Sequence, residues 1–235
     1  MQQTVFITGA DKGLGLSLTA RFMEGGWHVF AGRYLSGVEL SKIAGQSPGQ
    51  LSVVGLDVTD PASIQQAVQT VAGQAPALDI LINNAAIYLE KPVKPLEELD
   101  FGDMHFQKTM DVNAFGPLRV IQQFLPLLEK GQRKLIVNIS SEAGSLADCR
   151  RSMEYAYCMS KSALNMASRI LQNALKPGGF KVLAIHPGWM RTDMGGQEAD
   201  IHPDEAADGI FKLAMRQWQL DDEIYMDYQG TILPW

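Results

Sequence analysis

The sequence predicts an α/β fold in one domain: a seven-stranded, doubly wound parallel sheet with helices on both faces. Three observations predict it. Short apolar runs alternate with helical patterns along the whole of residues 1–235. A cluster of glycines stands in the first strand-to-helix turn, and no repeat, linker or low-complexity segment interrupts the chain. The chain has 235 residues, 46% of them hydrophobic and 20% charged, which suits a single domain with a substantial core.

The first strand is expected at 4–8 and passes at once into Gly9-Ala10-Asp11-Lys12-Gly13-Leu14-Gly15 and a helix running to about residue 24. Glycines at 9, 13 and 15 let backbone lie against a pyrophosphate held at the positive helix N-terminus. The spacing is G-x-x-x-G-x-G, not the commoner G-x-G-x-x-G, and glycines alone also simply make turns. Gly25-Gly26 ends the helix, and the second strand, 27–31, runs into Gly32-Arg33. A dinucleotide fold that prefers NAD places an acid there for the ribose hydroxyls. Here no acid occurs until Glu39, while Arg33 and Lys12 offer cations to a 2′-phosphate.

The next strand read from the pattern is 51–56, with Asp57-Val58 at its C-terminal end, where ligand contacts gather in open α/β sheets. Asp60-Pro61 opens a helix to about residue 72. A fourth strand, 78–82, ends in Asn83-Asn84-Ala85-Ala86, small and amide residues suited either to a ligand or to a plain turn. After a loop at 87–95, one long helix is expected over about 101–130, carrying Asn113 and kinked at Gly116-Pro117. The fifth strand, 134–139, is followed by Ser140-Ser141-Glu142-Ala143-Gly144. A helix over 155–176 and a sixth strand at 180–185 come next, then His186-Pro187-Gly188-Trp189-Met190-Arg191-Thr192-Asp193. A helix from Pro203 to about residue 218 and a seventh strand at 223–227 complete the order.

The helix at 155–176 carries Tyr157-Cys158-Met159-Ser160-Lys161. Residues four apart project from one helix face, so an ammonium can stand beside a phenol. A nearby cation favours the phenolate and lowers a pKa that is ordinarily ~10, toward values useful for acid–base catalysis. Alone, the same spacing also describes a surface helix with an amphipathic tyrosine.

Net charge is −6 with no block of like charges, so neither nucleic acid nor an anionic membrane is an expected partner. No signal peptide and no membrane-spanning run is read from the chain, and two cysteines without motif spacing, Cys149 and Cys158, fit a reducing cytosol. A cytoplasmic location is therefore expected. No His, Cys or acid cluster has metal-ligand spacing, and His186 is taken as structural.

Together these residues resemble a short-chain dehydrogenase/reductase over essentially the full length. The motifs are Thr8-Gly9-x-x-x-Gly13-x-Gly15, Asp57-Val58, Asn83-Asn84-Ala85, Asn113, Ser141-x-x-Gly144, Tyr157-x-x-x-Lys161, and Pro187-Gly188 with Thr192. Residues 192–196 and the tail at 227–235 are similar to the C-factor and sniffer carbonyl-reductase-like branch. The resemblance implies a Rossmann fold and an NADP(H)-dependent carbonyl reductase. Tyr157 would act as general acid, Lys161 would lower its pKa and hold the nicotinamide ribose, Ser141 would position the carbonyl, and Asn113 would hold a water for proton resupply. Gly9, Lys12, Gly13, Leu14 and Gly15 would line the phosphates, with Arg33 beside the 2′-phosphate. Asp57 and Val58 would contact adenine, and Asn84, Ala85, Pro187, Gly188, Met190 and Thr192 would flank the nicotinamide half.

Two departures stand out. Ala86 occupies a position that is usually glycine, and the stretch from Ser141 to Tyr157 is longer than common, which leaves Ser140 as the rival serine. Ser141 has the glycine three residues on. Tyr155 is the rival tyrosine, but it does not have the Lys161 spacing. A small-molecule carbonyl or alcohol substrate is implied, apolar to judge from Tyr88, Trp189 and neighbouring methionines, beneath a small lid and an open site. A homodimer or larger assembly is expected through the helices at 103–130 and 155–176. Two other functions remain open: a cofactor-binding C-factor-like signalling protein, or an NAD-dependent alcohol dehydrogenase, against which Gly32-Arg33 argues.

Overall fold

The computed structural model describes residues 2–34, 38–46 and 49–235. Its centre is one parallel sheet of seven strands: β1 (Thr4–Ile7), β2 (His28–Arg33), β3 (Leu51–Gly55), β4 (Ile80–Asn83), β5 (Leu135–Ile139), β6 (Lys181–His186) and β7 (Tyr225–Asp227). Their order is β3-β2-β1-β4-β5-β6-β7. Val5 pairs with Val29 on one side and with Ile80 on the other. The chain therefore winds outward from β1 twice, in opposite directions. The crevice outside the carboxyl ends of β1 and β4 is the switch point where open α/β sheets hold ligands.

Strand periodicity explains the two cores. Val5 and Ile7 face one side of the sheet and Phe6 faces the other. On the first side, Leu14, Leu18 and Phe22 of α1 (Gly13–Glu24) and Ile210 of α7 (Pro203–Met215) cover Val29, Ile82, Val137 and Ile185. On the second, Ile64 of α3 (Pro61–Ala72) and Val120 and Phe124 of α5 (Gly116–Leu128) cover Phe30, Leu81, Ile136 and Val182. Burying a Phe or Leu this way contributes roughly 1.5–3 kcal/mol each. That is why near-continuous apolar strands require helices on both faces.

Several boundaries differ from the sequence expectation. A helix α2 (Val38–Gln46) lies between β2 and β3, in a stretch whose pattern had suggested no element; Leu40 is its buried anchor. Strand β2 continues through Gly32 and Arg33, which pair with Val54 and Gly55. The seventh helix ends at Met215 and not near 218, and β7 begins at Tyr225.

The long helix expected over 101–130 is three pieces. These are α4 (His105–Met110), a π-helical turn (Asp111–Phe115) and α5. The irregularity comes just before Gly116-Pro117, and it contains Asn113. Such π turns often occur at functional sites because they re-aim side chains and free backbone groups. Where it ends the backbone packs closely, since a Cβ on Gly116 would lie 2.9 Å from Val58.

Candidate active site

The turn after β1 is shaped by close backbone approach. A Cβ on Gly15 would lie 2.1 Å from the Gly9 carbonyl oxygen, and Gly9, at φ +61°, would place one 2.9 Å from the Ala85 Cα. Only glycine fits such contacts. Thr8 and Asn84 lock the turn to β4. The Thr8 hydroxyl accepts the Asn84 and Ala85 amides at 2.9 Å, and Asn84 Nδ2 donates to the Thr8 and Gly9 carbonyls. Thus the Asn84 side chain braces the glycine turn, and Ala85 borders it through backbone. Leu14 is likewise a core residue whose backbone, not side chain, belongs to the turn.

Helix α1 begins with no side-chain cap and no acid in its first turn, leaving its positive end open toward the crevice. Gly13 faces Thr192 of the loop after β6, 3.3 Å from where its Cβ would stand. Pro187, Gly188 and Met190 lie in that same loop, so both walls expected for a dinucleotide meet here. At the far end, Asp57 closes its own turn by accepting Thr59 N and Oγ1, and buried Val58 packs on Gly116. Arg33 stands, half-buried, at the carboxyl end of β2. Glycine cradle, open helix end and cation at the β2 terminus together fit a phosphorylated dinucleotide.

Lys12 carries a contact that the sequence did not suggest. Its ammonium pairs with Asp193 at 2.7 Å, both side chains largely exposed, and Lys91 donates to the Met194 carbonyl at 2.8 Å. The loop after Thr192 is thereby fastened from the glycine turn and from the loop after β4. An exposed pair of this kind contributes little to stability and is easily exchanged.

The residues expected to handle the proton lie on β5's end and the helix that follows. Ser141 caps a short 3-10 turn (Glu142–Gly144), accepting the Ala143 amide, and its side chain is near enough to the Tyr157 phenol to act on its pKa. Ser140 points inward and donates to Asn165 Oδ1 at 2.5 Å, so Ser141 is the serine at the crevice. Gly144 is needed for contact with α6 (Tyr155–Leu175), because a Cβ there would lie 2.7 Å from Lys161 backbone. Tyr155 is directed elsewhere, its hydroxyl 3.5 Å from the Ser152 carbonyl.

Lys161 is buried, its ammonium donating to the Ile139 carbonyl at 2.8 Å and standing 5.7 Å from the Tyr157 ring centroid. Burial pushes its pKa down to about 8. Tyr157 is pushed up to about 12, chiefly by burial, with Ser141 opposing and Glu142 adding to the rise. The sequence suggested a phenol drawn toward neutrality by its lysine. In the structure burial raises the phenol instead, and the ammonium is directed at a backbone carbonyl. Asn113 is clasped by Ile87, donating to its carbonyl at 2.9 Å and accepting its amide at 2.8 Å, and it also donates to Ser160.

Several residues of this site went unread in the sequence. The Glu90 carboxylate accepts the Ala156 and Tyr157 amides at 3.1 and 2.8 Å and so caps α6 from a distant loop. Glu154, left-handed at φ +68°, accepts the Tyr88 hydroxyl, and the Tyr88 ring meets Tyr157 edge-on at 5.3 Å. Arg151 joins Glu142 to Glu154. From below, buried Tyr225 donates to the Ser141 carbonyl at 2.8 Å. Cap, network and brace all join segments distant in sequence, and no local spacing signals them. Among the described residues no group of His, Cys, Asp and Glu is arranged to hold a metal ion, and no helix is long and apolar enough to cross a membrane.

A family model described as short chain dehydrogenase matches residues 3–202. C-signal of Myxococcus xanthus is 39% identical over 158 residues, covering 67% of this chain and 93% of that protein. An NADPH-bound carbonyl reductase from chicken fatty liver superposes with a TM-score of 0.91 at 31% identity, covering 100% of this chain and 99% of that one. The carbonyl reductase Sniffer of D. melanogaster superposes at 0.93 with 26% identity, both chains covered completely.

Proposed function

We propose that this chain, which belongs to the short-chain dehydrogenase family, is an NADP(H)-dependent carbonyl reductase that converts a ketone or aldehyde to an alcohol. The observation that carries the reading is the placement of Lys161, buried and bonded to the Ile139 carbonyl, on the same helix as Tyr157 and close to Ser141. It stands in a sheet whose first strand ends at a glycine-shaped, uncapped helix start. Bound NADPH supplies the hydride, two electrons and one hydrogen, to the carbonyl carbon. The chain's residues do the rest. Tyr157 gives its proton to the carbonyl oxygen and becomes phenolate, to be reprotonated from solvent. Ser141 positions that oxygen by hydrogen bonding, a contact that strengthens as negative charge develops there. Lys161 holds the nicotinamide ribose and, as a buried cation, stabilises the phenolate. Asn113, its side-chain amide engaged by Ile87 and Ser160, is the residue that would hold a water for proton resupply.

Arg33 and Lys12 are the cations for the 2′-phosphate, Lys12 exchanging Asp193 for it, and solved relatives bound to NADPH and NADP support that cofactor. In the loops expected to line the substrate, Leu146, Met153, Trp189 and Met194 are exposed apolar side chains, which favours an apolar carbonyl compound. NADPH oxidation across a carbonyl panel tests the reading, and no consumption above the substrate-free rate with any member would overturn it. Likeness to C-signal favours one second reading, a signalling protein for which catalysis is incidental. A signalling output that survives Tyr157→Phe would support it.

A cytoplasmic homodimer or tetramer completes the proposal. Of the side chains expected at the pairing helices, Ile121 and Leu164 are buried in the chain's own interior. Phe115, Met159, Met166 and Ile170 remain exposed on the π turn and α6, a patch suited to a second copy. Light scattering that gives the monomer mass at micromolar concentration would refute pairing.

A further inference from the structure

The densest charged cluster in the crevice stands beside Ser141 and Tyr157, and the proposed chemistry does not use it. Glu142 Oε2 accepts the Ser141 hydroxyl at 2.8 Å, and its Oε1 accepts Arg151 Nη2 at 2.5 Å. Arg151 also pairs with Glu154, which holds Tyr88 against the Tyr157 ring. Burial alone would raise the Glu142 carboxyl. The hydrogen bonds from Ser141 and Arg151 outweigh it and leave the group below the usual carboxylate value, so it is anionic at neutral pH. Around it stand Arg151 from the loop before α6, Tyr157 from α6, His186 from the end of β6 and Tyr225 from β7. Asp227 and Lys161 lie beyond His186, and Cys158 also acts on Tyr157.

A serine hydroxyl has one proton. While Ser141 gives it to Glu142, that proton is not available to a Tyr157 phenolate, so the lowering that a Ser141 hydrogen bond would exert on the phenol is withheld. The Glu142 charge acts in the same sense and the Arg151 charge in the opposite one. We infer that Glu142, fixed by Arg151, is a positioning residue that holds the proton on Tyr157 and sets the alkaline limit of carbonyl reduction. The inference rests on Tyr157 being the proton donor, and its test separates the two.

Two readouts follow the same group. One is the alkaline edge of kcat/KM for carbonyl reduction. The other, on protein without substrate or cofactor, is the tyrosinate absorbance difference between each protein and its own Tyr157→Phe version. With Glu142→Gln both midpoints should fall by about one pH unit, on the order of a tenfold loss of reduction rate above the edge. Glu142→Asp should restore most of the fall. Glu154→Gln removes a charge from the same cluster without touching Ser141, and it should move the midpoints much less. Unchanged or raised midpoints in Glu142→Gln, or an equal fall in Glu154→Gln, would overturn the inference and leave Tyr157 as the donor. Turnover that survives Tyr157→Phe would overturn both.

Discussion

The two ends of the crevice are built by different means. The cofactor end is mostly backbone: glycines at 9, 13 and 15, an uncapped helix terminus and two short braces from Thr8 and Asn84. The substrate end is mostly side chain. A serine, two tyrosines, three glutamates and an arginine from three separated segments hold one another. Backbone shape accepts many side chains around it and so preserves binding, whereas the side-chain network tunes one proton. Loss of a single group should therefore be felt in opposite ways at the two ends, in turnover at one and in cofactor choice at the other.

The largest effect belongs to the substrate end. Tyr157→Phe should lower kcat by more than roughly a hundredfold, the scale of a lost general acid, while NADPH binding by fluorescence titration stays within a few-fold. Tyr155→Phe should cost far less. Parallel losses of binding and turnover in Tyr157→Phe would erase the distinction between the two ends.

Next comes the buried lysine that lies between them. Between about 8 and its ordinary 10.5, the unfolded chain carries a proton on Lys161 that the folded chain does not. The folded pKa is the lower one, so this group's contribution to stability rises with pH across that window. The rise is on the order of 3 kcal/mol. Urea midpoints of the protein should show it relative to Lys161→Met, which has no such proton. Above pH 10 the Tyr157 phenol, raised in the folded state, acts in the reverse sense. A pH-independent difference between the two proteins would mean that the ammonium is not desolvated.

At the cofactor end the expected effect is smaller. One good hydrogen bond to the 2′-phosphate contributes about 1.5–3 kcal/mol, or roughly tenfold to a hundredfold in preference. The unmodified protein should therefore favour NADPH over NADH at least about tenfold in kcat/KM, less at high salt. Gly32→Asp with Arg33→Ala should reverse the order, mainly through KM, because the phosphate is remote from the reacting carbon. Gly32 has little room, its Cβ falling 3.0 Å from Leu56, so Arg33→Ala alone is the companion variant. Smallest of all, Glu90→Gln weakens the distant cap of α6 and should lower stability by about 0.5–2 kcal/mol in thermal unfolding.

The same division decides what could be read from the sequence. Alternating strands and helices showed the sheet because each strand is apolar on both faces and each turn is local. Glycine spacing and the Tyr157–Lys161 interval were legible for the same reason, as consequences of geometry within a few residues. The α2 helix was missed because Val38, Glu39 and Lys42 face solvent and blur its apolar pattern; Leu40 is a buried anchor. The Asp111–Phe115 turn was missed because its residues continue an ordinary helical pattern and no local spacing marks a change of pitch. The roles of Glu90, Glu142, Arg151 and Glu154 depend on where loops come together, and a charged residue in a loop looks solvated until its partner is placed. Ser140 and Ser141 were adjacent candidates that only the direction of each hydroxyl could separate.

The most direct test of the central claim follows one hydrogen. NADPH carrying deuterium in the transferable position at C4 is incubated with the protein and a reactive carbonyl compound from the panel, and the alcohol is examined by mass spectrometry and NMR. One deuterium on the carbinol carbon for each NADPH consumed, lost when Tyr157 is replaced by Phe, is the predicted result. NADPH consumed with the deuterium released to water, or an alcohol carrying only solvent hydrogen on that carbon, would contradict it.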